Sequence, residues 1–215
     1  MNEQLWWYVA RSGGIVAWAL LTVSVVLGLS LSTVIAGRRV PKPWLLSMHR
    51  YLGLVAIVMT GFHLAGLVAD SYVHFDVIDL LVPYSSEWQP GAVAWGVVAM
   101  WLLLAVEITS LLRRRIPKRL WRWVHVSSLP LFAMATAHTF TAGTDAGHGW
   151  LRWGAIISVN VVAFLTIVRI VVEKRPARVI PARPSAKRTP PVEPSSQGVP
   201  EVEPSQERVP VVSQG

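Results

Sequence analysis

The 215-residue sequence contains no cysteine, which removes several kinds of redox centre at once. Without thiols, the chain cannot form disulfides, thiolate metal sites or iron–sulfur clusters held by its own cysteines. It also lacks the glycine-rich fingerprint that opens a dinucleotide-binding βαβ unit. Any redox chemistry of this chain must therefore depend on a bound cofactor that other residue types hold.

Charged residues are also scarce, at 15% of the chain, whereas hydrophobic residues make up 53%. A helix needs about 20 apolar residues to cross the roughly 30 Å hydrocarbon core of a membrane. Five runs of suitable length are present, so the sequence predicts an all-α integral membrane bundle of five transmembrane helices, with a sixth possible. The predicted spans are 13–36, 44–69, 91–112, 120–141 and 150–172.

The last part of the sequence, 173–215, has a different composition. It is rich in Pro, Ser, Glu, Lys and Arg, and contains few residues that could form an apolar core. Such a segment cannot bury enough apolar surface to offset the entropy lost on ordering. We expect a disordered, basic, proline-rich tail.

Two of the connections between spans contain no Lys or Arg, DSYVHFDVIDLLVPYSSEWQP and AGTDAGHG. Basic residues are retained preferentially on the cytoplasmic side of a membrane. The sequence therefore predicts a multi-pass protein of a bacterial plasma membrane, with residues 1–12 outside and the C-terminal tail in the cytoplasm. The basic residues that set this orientation are Arg38, Arg39, Lys42, Arg113, Arg114, Arg115, Lys118, Arg119, Lys174, Arg175 and Arg178.

Four of the six histidines fall in two of the predicted spans. Both spans start at the cytoplasmic side, so depth follows from the 1.5 Å rise per residue. His49 and His125 lie near the start of their spans, and we call them the inner pair. His63 and His138 lie about 20 Å further along, and we call them the outer pair.

Two levels of paired imidazoles indicate two haems, each bound by one histidine from each helix. Haem iron with imidazole at both axial positions has no open position for a substrate and relays single electrons. For one intramembrane histidine, a hydrogen bond between helices is an equally good interpretation. Four histidines at two matched depths favour the haem interpretation.

The two histidines of the fourth predicted span would not lie on the same face of a straight helix. His49 and His63 are 14 residues apart and lie about 40° apart around a helix, whereas the 13 residues from His125 to His138 give about 140°. Pro130 lies between the latter two, and proline commonly kinks a helix. We therefore expect a bend in this span.

These residues resemble the ferric reductase-like transmembrane domain, a family that includes ferric reductases, NADPH oxidases and the haem subunit of a bacterial methionine-sulfoxide reductase system. The resemblance rests on HRYLGLVAIVMTGFH and HVSSLPLFAMATAH and extends over about 13–172. It implies two b haems, with the inner pair binding one iron and the outer pair the other. Family members that act alone carry a flavin and nicotinamide module, which this sequence does not show. The family core often has six helices.

Arg50 and Arg122 lie beside the inner pair and are candidates for binding haem propionates by charge-assisted hydrogen bonds. Anchoring of helix ends at lipid headgroups is an equally good interpretation. Glu107, the only acidic residue in a span, is expected to pair with Arg113, Arg114 or Arg50. The tryptophans near span ends are expected to form an interfacial belt. They are Trp44, Trp88, Trp95, Trp121, Trp123, Trp150 and Trp153.

The two outer loops carry a few imidazole and carboxylate groups that could approach the outer haem. Their spacing gives no metal signature, so ordinary loop polarity is the favoured interpretation over binding of a ferric or cupric substrate. The residues concerned are His74, Asp76, Asp79, Asp145 and His148.

The sequence therefore predicts the electron-transfer subunit of an oxidoreductase, which takes electrons from a cytoplasmic flavoprotein or a membrane donor and delivers them to an acceptor outside. Two alternatives stay open. One is a cytochrome b that is linked directly to quinol. The other is a haem-free membrane anchor or assembly subunit whose histidines pack helices together.

Overall fold

A computed structural model describes residues 3–33, 41–71, 75–143 and 147–173, all of which lie within one unit of the chain. The described part is all-helical, with seven helices. The predicted tail, apart from residue 173, lies outside the described residues. The helices are α1 Glu3–Ser32, α2 Lys42–Ala69, α3 Val77–Leu81, α4 Pro90–Leu111, α5 Lys118–Val126, α6 Ser128–Thr141 and α7 Gly149–Glu173.

Four of these helices, α1, α2, α4 and α7, are long and apolar enough to cross a membrane. This confirms a multi-pass membrane protein and the all-helical class predicted from the apolar runs. Helix α1 begins ten residues earlier than the predicted span, at Glu3. The remaining predicted span, 120–141, is present as two shorter helices, α5 and α6.

The break between α5 and α6 occurs at Ser127, three residues before the proline expected to cause it. Pro130 has no N–H and cannot bond to the Val126 carbonyl four residues earlier, so a continuous helix would lose this bond. The Ser127 N–H instead bonds to Val124, three residues back, at 3.1 Å. Pro130 itself lies in the first turn of α6, where a missing N–H costs little. His125 and His138 therefore belong to different helices and need not share one helical phase.

The connection between α2 and α4, predicted as a polar outer loop, contains the short helix α3. Its start is a capping box, in which the Asp76 N–H donates to the Asp79 carboxylate at 3.0 Å. The indole N–H of Trp101 donates to the Leu81 carbonyl at 2.9 Å. Because Trp101 lies halfway along α4, this segment packs along the helix rather than standing away from it.

The helices pack so that a gap remains between α2 and the α5–α6 segment, which together carry the four paired histidines. Helix α1 packs along α2, α4 packs against α6 and α5, and α1 also contacts α6 and α7. Within the described part of the chain, α2 is not among the helices that pack closely against α5 or α6. The histidine-bearing helices thus face each other across a space that α1 and α4 flank.

The central apolar core lies between the two histidine levels. On α1 it includes Leu21, which is seven residues from Gly14 and from Gly28. On α4 it includes Leu103, which is seven residues from Gly96 and from Ser110. The other buried members of this core are Val25, Leu29, Ala99, Leu131, Phe132, Val162 and Leu165.

Candidate functional site

The four intramembrane histidines meet in the two pairs predicted from their depths. The ring centroids of His49 and His125 are 5.9 Å apart, and the ring planes are 85° to one another. In the outer pair, the centroids of His63 and His138 are 6.2 Å apart, with an interplanar angle of 76°. Each pair joins one histidine from α2 with one from the broken span.

Three of the four imidazoles are fixed by a short hydrogen bond from Nδ1 to a backbone carbonyl of a neighbouring helix. His63 donates to Ala10 at 2.6 Å, and His138 donates to Ala92 at 2.8 Å. His49 donates to the Ser24 carbonyl at 2.9 Å, with the Ser24 hydroxyl also 3.0 Å from Nδ1. A carbonyl oxygen can only accept, so the proton is on Nδ1 and Nε2 keeps its lone pair.

His125 is held differently from the other three. Its Nδ1 is 3.5 Å from the Ser110 hydroxyl, at the long limit of a hydrogen bond. Its ring stacks on the indole of Trp121, with centroids 5.0 Å apart and planes 21° from parallel. The Trp121 indole also has the Arg113 guanidinium 4.8 Å from its ring centroid.

Glycines on the flanking helices let the backbone approach the imidazoles closely. A Cβ atom on Gly14 would lie 2.9 Å from His63 Nδ1, and one on Gly28 would lie 3.2 Å from His49 Cε1. These two glycines of α1 are 14 residues apart, the same separation as His49 and His63 on α2. The sequence analysis missed this match, although the repeated spacing was visible in the sequence.

An apolar cavity adjoins the outer pair. It measures about 1420 Å³ with its open mouths included, and both His63 and His138 lie on its wall. Arg11 of α1, which the sequence analysis did not select, also lines it. Apolar side chains form most of the remaining wall, among them Trp18, Leu64, Phe75, Trp88 and Leu103.

The supporting residues considered from the sequence lie in different surroundings. Arg50 and Arg122 are both exposed, and Arg50 is close enough to His49 to act on it electrostatically. No ion pair joins Glu107 to Arg50, Arg113 or Arg114 within the described residues. The Glu107 carboxylate instead lies against Gly53 of α2. Arg169 of α7, not considered from the sequence, lies within electrostatic range of His125.

The loop residues considered for metal binding do not form a site in the part of the chain that is described. No group of three or more His, Cys, Asp or Glu side chains is close enough there to hold a metal ion. Asp76 and Asp79 cap α3 instead. His74 and Asp145 lie outside the described residues.

One family model matches the chain, the ferric reductase-like transmembrane component, over residues 13–136. The match contains three of the paired histidines and ends two residues before His138. No curated protein and no solved structure matches the chain. Domains of this family are transmembrane, generally bind haem and are of the oxidoreductase type. Because the match covers more than half of the sequence, the chain belongs to the ferric reductase-like transmembrane family.

Proposed function

We propose that the chain is the membrane electron-transfer subunit of an oxidoreductase. It binds two b haems, one between His49 and His125 and one between His63 and His138. Haem bound in this way carries single electrons and offers no open coordination position to a substrate. The subunit would thus connect a donor on one side of the membrane with an acceptor on the other.

The separation of the imidazoles within each pair is the observation that carries this proposal. A ring nitrogen binds a metal at about 2 Å and lies about 1.1 Å from its ring centroid, so two imidazoles that bound one iron from opposite sides would have centroids about 6.2 Å apart. The separations here are 5.9 Å and 6.2 Å. Both are near the value that a shared iron requires.

The hydrogen bonds of the histidines support the same assignment. A histidine that binds a metal through one nitrogen usually donates the other N–H to a carbonyl or carboxylate, which fixes the tautomer and the ring direction. His49, His63 and His138 each donate from Nδ1 to a carbonyl, and so keep Nε2 available. Because these bonds also join α2 to α1 and α6 to α4, the facing of the two rings in each pair is what favours haem over helix packing alone.

The space around the pairs also suits a flat apolar group. Helices α2 and α6 face each other without close packing, and the cavity beside the outer pair has mainly apolar walls. Gly14, Gly28 and Gly96 keep side-chain atoms away from the imidazole rings. A porphyrin needs clearance of this kind beside its axial ligands.

Basic residues near the two levels are candidates for binding the haem propionates. Arg11 lines the outer cavity, and Arg50 and Arg122 lie beside the inner histidines. Guanidinium groups bind carboxylates through paired charge-assisted hydrogen bonds, which would fix the rotation of each porphyrin about its axial ligands. The sequence offered this role for Arg50 and Arg122 as one of two equally good interpretations, and Arg11 would extend it to the outer level.

We propose that the inner pair faces the cytoplasm, because the Lys and Arg residues of the 112–117 connection and of the first turn of α5 lie at that end. The donor is then a cytoplasmic flavoprotein or another membrane protein, the quinol-linked cytochrome is the alternative, and the acceptor lies outside. Electron flow in this direction is the one expected from the family.

The test uses sealed lipid vesicles that contain the purified full-length protein with reduced flavin mononucleotide inside and ferric-EDTA outside. Each reduced flavin gives two electrons, reduces two ferric ions outside and releases its protons inside. We expect ferric reduction that requires the protein and stops in a His63→Ala variant. Ferric reduction that a lipid-soluble quinol drives equally well would identify the quinol-linked alternative. Lack of any protein-dependent reduction with either donor would contradict the proposal.

A further inference from the structure

The inner ligand His125 lacks the hydrogen bond that fixes the other three histidines. Their Nδ1 atoms are 2.6 to 2.9 Å from backbone carbonyls, whereas among the described residues His125 Nδ1 has only the Ser110 hydroxyl at 3.5 Å. A hydroxyl can donate or accept and can rotate, so it does not fix the tautomer or direction of the ring. Something else must hold this imidazole if it is to present a nitrogen to an iron.

Trp121 provides such a contact. It precedes His125 by four residues, a spacing at which helical side chains lie next to each other. The two rings stack at 5.0 Å and 21°, so the indole restricts rotation of the imidazole out of its plane. This restriction keeps the ring plane of His125 at 85° to the ring plane of His49.

The indole is itself held in place. Arg113 of the α4–α5 connection places its guanidinium 4.8 Å from the centroid of the Trp121 ring, a distance at which a cation is attracted to the π system. Arg113, Trp121 and His125 thus form one stacked series that leads from the basic connection to the inner ligand. We call it the inner stack.

The environment of Trp121 differs from that of an interfacial tryptophan. Tryptophans in an interfacial belt direct their N–H to water or headgroups. The Trp121 Nε1 atom is buried and has no hydrogen-bond partner among the described residues. Trp123, two residues later on the same helix, is 70% exposed and does fit the belt. We therefore attribute the orientation of Trp121 to its contact with the His125 ring and not to anchoring at the membrane interface.

We propose that Trp121 is a positioning residue for the inner haem ligand, with Arg113 holding the indole against His125. This rests on the proposed function, since it assigns a role at one of its two haem levels. It also implies an asymmetry, because hydrogen bonds to carbonyls fix both outer ligands and stacking fixes one inner ligand. The outer haem then serves as an internal control in the same molecule.

The experiment compares Trp121→Leu, Trp121→Phe and Trp123→Leu with the unchanged full-length protein, each purified with haem. The low-field EPR feature of a ferric haem with two imidazoles depends on the angle between the imidazole planes. In Trp121→Leu we expect the EPR feature of the inner haem to shift and broaden. We also expect the inner haem to transfer to excess apomyoglobin about 10-fold more readily, because loss of a group that orients a metal ligand weakens metal binding by about this factor. The outer feature should stay unchanged.

Trp121→Phe keeps a planar ring beside His125 and should retain the inner EPR feature, and Trp123→Leu should behave like the unchanged protein. An unaltered inner feature in Trp121→Leu would overturn the inference, and so would loss of both haems, because the role is confined to one ligand. If the unchanged protein binds no haem, the proposed function fails instead. The two failures are therefore distinguishable.

Discussion

Gly96 of α4 lies directly against the imidazole of His138, where a Cβ atom would come within 2.7 Å of the ring atoms Cε1 and Nδ1. The same helix turn brings the Ala92 carbonyl to 2.8 Å from His138 Nδ1. One turn of α4 therefore provides both the space for the His138 ring and the hydrogen bond that fixes its direction. Helix α1 combines a glycine with a carbonyl four residues earlier in the same way at His63, with Gly14 and Ala10, and at His49, with Gly28 and Ser24.

Replacing this glycine should displace the outer ligand. In Gly96→Ala the added methyl group overlaps the His138 ring, and we expect loss of most of the outer haem with retention of the inner one. Gly91→Ala on the same helix is the matched control, because nothing lies within 4 Å of a Cβ there. Haem content and the redox-difference spectrum check this, and equal spectra for the two variants would show that the approach to His138 is not critical.

The pairing of the histidines predicts which haem each substitution removes. His63→Ala and His138→Ala should each remove mainly the outer haem, because each deprives the same iron of one axial ligand. His49→Ala and His125→Ala should each remove mainly the inner haem. The measurement is haem per chain together with the EPR features of the haems that remain. Equal loss of both haems from each variant would contradict this pairing.

The break at Ser127 should depend on the missing N–H of Pro130. Pro130→Ala supplies a donor for the Val126 carbonyl and allows a continuous helix, in which His125 and His138 are about 140° apart. We expect one of the two haems to be lost, without loss of helix content in circular dichroism. The control is Ala133→Gly, an exposed position three residues further along α6. Retention of both haems in Pro130→Ala would mean that packing alone maintains the break.

A buried hydrogen bond between helices should contribute to stability. The Trp18 indole N–H of α1 donates to the Thr136 hydroxyl of α6 at 3.1 Å, and both residues are buried. Thr136→Val keeps the shape but removes the acceptor, which should cost about 1–3 kcal/mol. Thr141→Val removes a similar hydroxyl at an exposed site and is the control. Denaturant unfolding in detergent compares them, and equal losses would show that the Trp18 contact contributes little.

Much of the site could be predicted from sequence because it depends on regular helix geometry. The residue counts from His49 to His63 and from His125 to His138 place the imidazoles at two depths, and the ring pairs are found accordingly. The position of the helix break could not be located within a turn, since a proline is tolerated in a first turn but not in an interior. The hydrogen bond from the Ser127 N–H to the Val124 carbonyl, three residues earlier, shows that Pro130 lies in the first turn of a new helix.

The partners of the imidazoles could not be predicted, because they are backbone groups of other helices. The carbonyls of Ala10, Ser24 and Ala92 become acceptors only through the packing of α1 and α4 against the histidine-bearing helices. The contact made by Trp121 could not be predicted from the sequence either. A tryptophan near a span end is typical of the interfacial belt, and only the structure shows its ring stacked on His125.

The most direct test of the account is the number of haems that the purified full-length chain binds. Protein made in haem-replete cells is analysed by its pyridine haemochrome spectrum and its protein concentration. The two imidazole pairs predict two b haems per chain, both low-spin with two histidine ligands. Colourless protein, or haem in amounts that substitution of the four histidines leaves unchanged, would contradict the account.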